Sequence, residues 1–422
     1  MRHGAGGLTT RGGLARTRRG GQPHRRSRQV ARLITAAVVP SVVSMSLPRV
    51  LGAALPLLTA AALTACGPAV TGAPAPAPIR ADHAAATLWT QYGATPTTSA
   101  TDVASLGRSV LWLDTEGRVW TAEPAPAGPW QPTAVVGLPS GIVDIDGIER
   151  SDGEFTAAAV DSGGGVWMWG RITGADSAGP YDTVVTTPKR IEGVSGAHKV
   201  AVGPGVAFAV TAAGTVVSWG TSTDYELLGR TAPADVPQPP QELAGPTGVI
   251  DVAAGFPAVY ALTREGTVWG WGSNNYSLLA PGDALTPDEP VLLPQLSGIV
   301  AIDAEDFTAY AVTGRGTVLA WGDGASGALS TRAVERAPID APVTVAGVDD
   351  AVEVAAGASG AMAVGRDGSV HVWGAYAVPD GKGGVRDNDA GTAVRLDWIS
   401  GTVLVAVPPR QVQESYAFLV RP

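Results

Sequence analysis

Three histidines, His83, His198 and His371, follow the single cysteine, Cys66. A metal site needs imidazoles, thiolates or carboxylates at close spacing, and these side chains stand far apart along the chain. The run RDNDAG at 386–391 has the alternating acids of a calcium loop but lacks the full Asp ladder and the downstream Glu. No G-x-S-x-G elbow and no phosphate-binding loop occurs. The sequence therefore offers no catalytic residue, no metal ligand set and no cofactor motif. Carboxylates gathered on one face could serve a hydrolase or lyase, but nothing in the sequence singles out a pair.

The cysteine has chemistry of a different kind. Met45 opens a short basic region with Arg49, an apolar run from Val50 to Ala65, and then Cys66. The run is too short for a comfortable membrane span and has small residues at its end, the layout of an export signal. Leu63-Thr64-Ala65-Cys66 resembles the bacterial lipobox, which implies diacylation of the Cys66 sulfur and a mature chain that starts there. Residues 1–44 fit this plan poorly. They are read as upstream sequence translated from a misassigned start. An unusually long signal, a twin-arginine signal and a basic tail are the other readings. Residues 45–65 are then the signal peptide, and the Ala/Pro-rich segment 66–83 a semi-rigid tether.

Binding chemistry is richer than catalytic chemistry. Trp130, Tyr181, Tyr225, Tyr276 and Tyr376 lie in long unequal segments, interleaved with acids that include Asp224 and Asp283, and Phe256 sits in a shorter one. Tyr and Trp on adaptable loops are common anchors for a partner. Residues 1–49 hold ten Arg and no acid, which leaves 19 basic against 38 acidic residues from Val50 onward, a net of −19. A body so acidic repels nucleic acid and anionic headgroups.

These segments need a scaffold, and the scaffold is a repeat. The frame G-x-V-x-x-W-G ends at Gly170, Gly220, Gly272, Gly322 and Gly374, with its tryptophans at 169, 219, 271, 321 and 373. The steps of 50, 52, 50 and 52 residues match a propeller blade. Before each frame an apolar run meets a Gly-containing turn, which reads as a hairpin. A Val/Ile/Ala-rich run such as IDVAAG precedes the hairpin, and a fourth run follows it. Counting first strands near 103, 142, 199, 249, 299, 351 and 402 predicts an all-β, seven-bladed β-propeller of four-stranded blades over residues 84–422. Residues 85–100 are expected to complete the blade begun by 402–420, so that no sheet edge is left open. The tryptophans are assigned to packing between blades, and Asp114, Asp161 and Asp367 to hairpin turns. The first–second and third–fourth strand links are expected on one face, which is read as the interaction surface.

The run from Tyr260 to Leu278, Y-A-L-T-x-x-G-x-V-x-x-W-G-x-N-x-x-x-L, resembles the repeat of the regulator-of-chromosome-condensation (RCC) family. The resemblance implies a seven-bladed propeller closed by both chain ends. Family histidines are replaced here by Val206, Ala258 and Gly360, and the Gly-Gln-Leu-Gly ending is reduced to YELLG at 225–229 and YSLLA at 276–280. The founding member is a nuclear exchange factor that binds chromatin through basic residues, which the charge and the export signal here oppose. The family resemblance also takes in secreted bacterial propellers, one of which inhibits β-lactamases through an aromatic face. The expected function is a monomeric binding scaffold, lipid-anchored through Cys66 on the outer face of a bacterial cell membrane, that engages a protein or a cell-envelope polymer. An extracytoplasmic glycan-active enzyme with a carboxylate site at the axis, or an inhibitor of a secreted enzyme, is the alternative.

Overall fold

The computed structural model describes residues 86–420 apart from links at 91–92, 98–99, 108, 123–130, 150–153, 222–225, 280–286, 325–326, 331–338, 358–359, 380–384, 389–391, 398, 400–401 and 407–416. Residues 45–83, where an export signal, Cys66 and a tether are expected, lie outside the described residues. Residues 70–422 form one compact unit, and every described strand belongs to it.

Six blades are four-stranded antiparallel sheets with strands in sequence order from the inside out. Their innermost strands are Ala100–Leu106, Ile142–Glu149, Ala197–Gly203, Val249–Ala254, Ile299–Glu305 and Ala351–Gly357 for blades 1 to 6. A further four-stranded sheet is composite. It pairs Gly93–Thr97 and Ala86–Thr90 from one end of the chain with Ala417–Val420 and Thr402–Ala406 from the other. Thr402–Ala406 contacts the inner strands of blades 6 and 1.

The expected count of seven blades is therefore corrected. Six blades of four antiparallel strands are cut from consecutive sequence, and the composite sheet is not one more of that kind. The start near 402 was counted as a blade, but only one further described strand follows it.

The repeat frame explains how one blade is built and how it joins the next. In blade 4, Ala258–Thr263 turns into Val268–Gly272 through Gly266, whose φ is +76°. A side chain there would be strained in that left-handed backbone. A Cβ would also meet Gly298 and Ile299 of the next blade at 3.0–3.1 Å. The close approach lets the Gly266 carbonyl accept the Ile299 N–H at 3.0 Å. The same bond recurs from Ile142 to Gly117, Ala197 to Gly164, Val249 to Gly214 and Ala351 to Gly316. The turn glycine thus ends a hairpin and stitches two blades together.

The turn is braced in two chemical ways. In blades 3 and 4 a threonine pair does it, Thr211 with Thr215 at 2.8 Å and Thr263 with Thr267 at 2.7 Å. In blades 1 and 2 the brace is a carboxylate. Asp114 accepts from the Glu116 and Arg118 N–H groups, Arg118 Nε and Trp120 Nε1. Asp161 accepts from Gly163, Gly165 and Trp167 Nε1. These donors outweigh the burial cost and hold both carboxyls below their usual range. Asp367 accepts from the Ser369 N–H and Arg395. All three are turn acids.

The frame tryptophans fill the joints between blades. Trp271 Nε1 donates to the Leu227 carbonyl, Trp321 to Leu278 and Trp373 to Ala328, each at 2.9 Å. Each ring also meets an aromatic on the second strand of the preceding blade edge-on: Phe208, Tyr260 and Tyr310, at 5.6, 5.4 and 5.7 Å. The acceptor carbonyls lie in LLG at 227–229, SLL at 277–279 and GAL at 327–329, which receive the next blade's indole.

Candidate functional site

Two places could carry function: the axis and the link-bearing face. At the axis lies a cavity of about 330 Å³. It is lined from all six blades by Asp102, Asp146, Lys199, Asp251, Asp303, Glu305 and Glu353 among smaller residues. The third position of the inner strands reads Asp102, Asp144, Lys199, Asp251, Ala301 and Glu353 across the blades. Aligning the inner strands of the repeats would have exposed this ring. The glycan-enzyme alternative puts a carboxylate site at the axis but names no residue for it.

The axial acids are tied to the scaffold. Asp102 accepts the Ile145 N–H of blade 2 at 3.2 Å and its neighbour Val103 at 2.9 Å. Asp144 and Asp146 accept Val200 and Val202 of blade 3 at 2.8 and 2.7 Å. Asp303 accepts Ala356 of blade 6 at 2.7 Å and Ala304 at 2.9 Å. Inner strands crowd at the axis and expose N–H groups toward the neighbouring blade, and a carboxylate is the short acceptor that satisfies them. Lys199 stands between Asp251 at 3.4 Å and Asp144 at 3.7 Å. Those two acids hold its ammonium well above the usual lysine range. Burial pushes the carboxyls of Asp146 and Asp303 up to about 7, against the pull of their N–H donors. Such a pKa suits proton transfer, yet Asp102, Asp144, Asp146 and Asp303 are accounted for by blade-to-blade hydrogen bonds. Among the described residues no cluster of three or more His, Cys, Asp or Glu is arranged to hold a metal.

The link-bearing face gathers part of the expected partner set. Phe256, from the first link of blade 4, meets Phe307 of blade 5 edge-on at 5.9 Å. Tyr276, from the third–fourth link of blade 4, meets Phe307 at 4.5 Å with a tilt of 42°. The three rings are partly buried, and backbone bonds fix their links: Ser273 N–H to the Pro257 carbonyl and Asp323 N–H to the Phe307 carbonyl, both 2.8 Å. Phe307 is the residue that sequence reasoning missed. It lies one position later in its link than Phe256 does, so a strict comparison of repeats passes over it.

The other expected anchors divide. Tyr181 does not sit in a loop. Val166–Asp176 and Gly179–Arg190 form a long hairpin in blade 2, and Lys189 Nζ lies 4.2 Å from the Tyr181 ring centre. Burial pushes the Tyr181 hydroxyl up to about 12. The hairpin is laced by Arg171 with Asp182 and Glu154, and by Lys189 with Asp176. Tyr181 packs there, partly buried, against the core cluster beneath the hairpin. Tyr376 begins a small hairpin, Tyr376–Pro379 with Val385–Asn388, and its side chain is outside the described residues. Trp130, Asp224, Tyr225 and Asp283 are outside them too.

Comparison with known proteins gives the repeat its place. Residues 249–277 match the family model described as regulator of chromosome condensation (RCC1) repeat. The human E3 ubiquitin-protein ligase HERC2 is 34% identical over 194 residues, which are 43% of this chain and 4% of HERC2. The ultraviolet-B receptor UVR8 of Arabidopsis thaliana is 33% identical over 137 residues, 31% of this chain and 30% of the receptor. The chain thus spans only a minor part of these relatives. Among solved structures, Prp20p of Saccharomyces cerevisiae superposes with a TM-score of 0.63 at 18% identity, covering 81% of this chain and 93% of that one. Human WBSCR16 does so at 0.61 and 18%, covering 78% and 90%. At that identity the likeness speaks for the fold. With blade geometry, repeat spacing and the match at residues 249–277 agreeing, the chain is a β-propeller whose repeats are similar to those described as regulator of chromosome condensation (RCC1) repeats.

Proposed function

We infer that this propeller is a binding scaffold that engages a protein partner through its link-bearing face. The observation that carries the reading is the Phe256–Phe307–Tyr276 patch, where three links from two blades converge. Rings held by backbone bonds lose little conformational freedom on binding, which favours them as anchors. Prp20p, a structural neighbour, has been studied for binding to Gsp1p and histones, both proteins. In support, full-length tagged chain should capture a partner from an envelope extract, and Phe307→Ala should reduce capture by about tenfold, as expected for one central anchor. Undiminished capture by a folded Phe307→Ala chain would remove the patch from the function.

We further read the chain as extracytoplasmic and lipid-tethered to a bacterial cell membrane. The support is the sequence Leu63-Thr64-Ala65-Cys66 after an apolar run, with no other cysteine in the chain. Residues 45–65 are then the signal, 66–83 the tether, and 84–422 the displayed propeller. The Cys66→Ser chain should leave the membrane fraction and lose incorporation of labelled palmitate. Retention of both signals in that variant would rule the tether out.

A further inference from the structure

The aromatic patch has a charge sign. Asp306 immediately precedes Phe307, and Asp323 is bonded through its backbone to the Phe307 carbonyl. Glu305 ends the inner strand of blade 5 and lines the axial cavity beside them. Burial holds the Glu305 carboxyl well above its usual range, and Asp306, Asp303 and Asp146 push it the same way. A carboxyl held that way resists ionisation, so the acids offered to a partner at the patch are Asp306 and Asp323. Among the described residues of the links that frame the patch, 255–257, 273–279, 306–307, 323–324 and 327–330, none is Lys or Arg.

We propose that this patch docks a cationic segment of a protein partner, with Lys or Arg heads at Asp306 and Asp323 and their stems across Phe256, Phe307 and Tyr276. The proposal rests on the reading of this face as protein-binding and adds the partner's chemistry. Two attractions act together there. An aromatic face draws a guanidinium or ammonium through its quadrupole, and the long apolar stem of Arg or Lys covers ring surface while its head reaches the acids. The body's net charge of −19 steers a basic segment toward the chain and an acidic one away.

The test uses the full chain and three short fluorescent peptides of equal length, rich in Arg/Lys, Gln or Glu, followed by fluorescence anisotropy. The Arg/Lys peptide should bind most tightly, and its affinity should fall with added salt. Phe307→Ala and the paired change Asp306→Asn with Asp323→Asn should each weaken it by about tenfold. Asn tolerates the left-handed backbone at 306, where φ is +43°, so the paired variant keeps the link's geometry. A melting temperature equal to that of the parent chain certifies each variant as folded. If the Gln or Glu peptide binds as well and is lost in Phe307→Ala, the cationic assignment falls while the face stays protein-binding. If no peptide responds to any variant, both fall. A chain dimer that disappears in Phe307→Ala would show a second copy on the patch and overturn the proposal.

Discussion

Replacing Trp271 by alanine should lower the unfolding free energy by roughly 3–5 kcal/mol, the range for removing a large buried aromatic. The ring is fully buried between blades 3 and 4. Its loss removes the edge-on contact with Phe208 and leaves the Leu227 carbonyl without its indole donor. The void falls at a joint, where two rigid sheets cannot both relax into it. Urea unfolding followed by circular dichroism gives the measurement, and a loss below about 1 kcal/mol would show the joint to be plastic. Trp219 supplies an internal comparison. It is just as buried, but among the described residues its Nε1 has no hydrogen-bond partner. In the preceding blade the third and fourth strands, Val166–Asp176 and Gly179–Arg190, pair directly as a long hairpin and leave no Leu-rich link between them. Trp271→Phe should therefore cost more than Trp219→Phe, since only the first change removes a hydrogen bond.

That contrast shows what was legible in the sequence. The frame G-x-V-x-x-W-G repeats because its turn glycine meets the next blade and its tryptophan packs on the preceding one, so spacing alone located the hairpins, turn glycines and joint tryptophans. The blade count was read less well. Counting first strands treats every Val/Ile-rich run as the founder of a blade, whereas Thr402–Ala406 shares its sheet with the other end of the chain. The long segment 171–182 was read as a loop because Gly, Asp and Pro punctuate it. Its pairing is held instead by ion pairs of Arg171 and Lys189 across the hairpin, which no local propensity records. The axial ring of acids was in plain view but aperiodic: Lys199 and Ala301 interrupt it, and its partners are backbone N–H groups of other blades. The aromatic patch was half legible. Phe256 and Tyr276 were picked as exposed anchors, but Phe307, which joins them, becomes visible only when two links from different blades are brought side by side.

The axial acids also make stability depend on pH with an unusual sign. Asp146 and Asp303 keep a proton in the folded chain up to about pH 7, whereas unfolded they ionise near 3.8, the ordinary value of an aspartate. Between those limits the folded state binds more protons than the unfolded one, so stability falls as pH rises through the window. The ideal slope is about 1.4 kcal/mol per pH unit for each fully shifted group, lessened by the water that reaches the cavity. Asp114, Asp161 and Asp367 have the opposite sign, because their donors hold them below 3.8, and they act only at the acid end. The melting temperature should therefore be higher at pH 5.5 than at pH 8. Asp146→Asn with Asp303→Asn keeps an oxygen to accept the Val202 and Ala356 N–H groups but cannot ionise. About half of the window is already crossed at pH 5.5, so this chain should melt above the parent there and by a larger margin at pH 8, which would remove part of the difference. A double variant that melts below the parent at pH 8 would mean that the ionised carboxylates hold the blades together better than amides do. The axis would then be a ring of charged staples, with Lys199 supplying the balance that burial withholds.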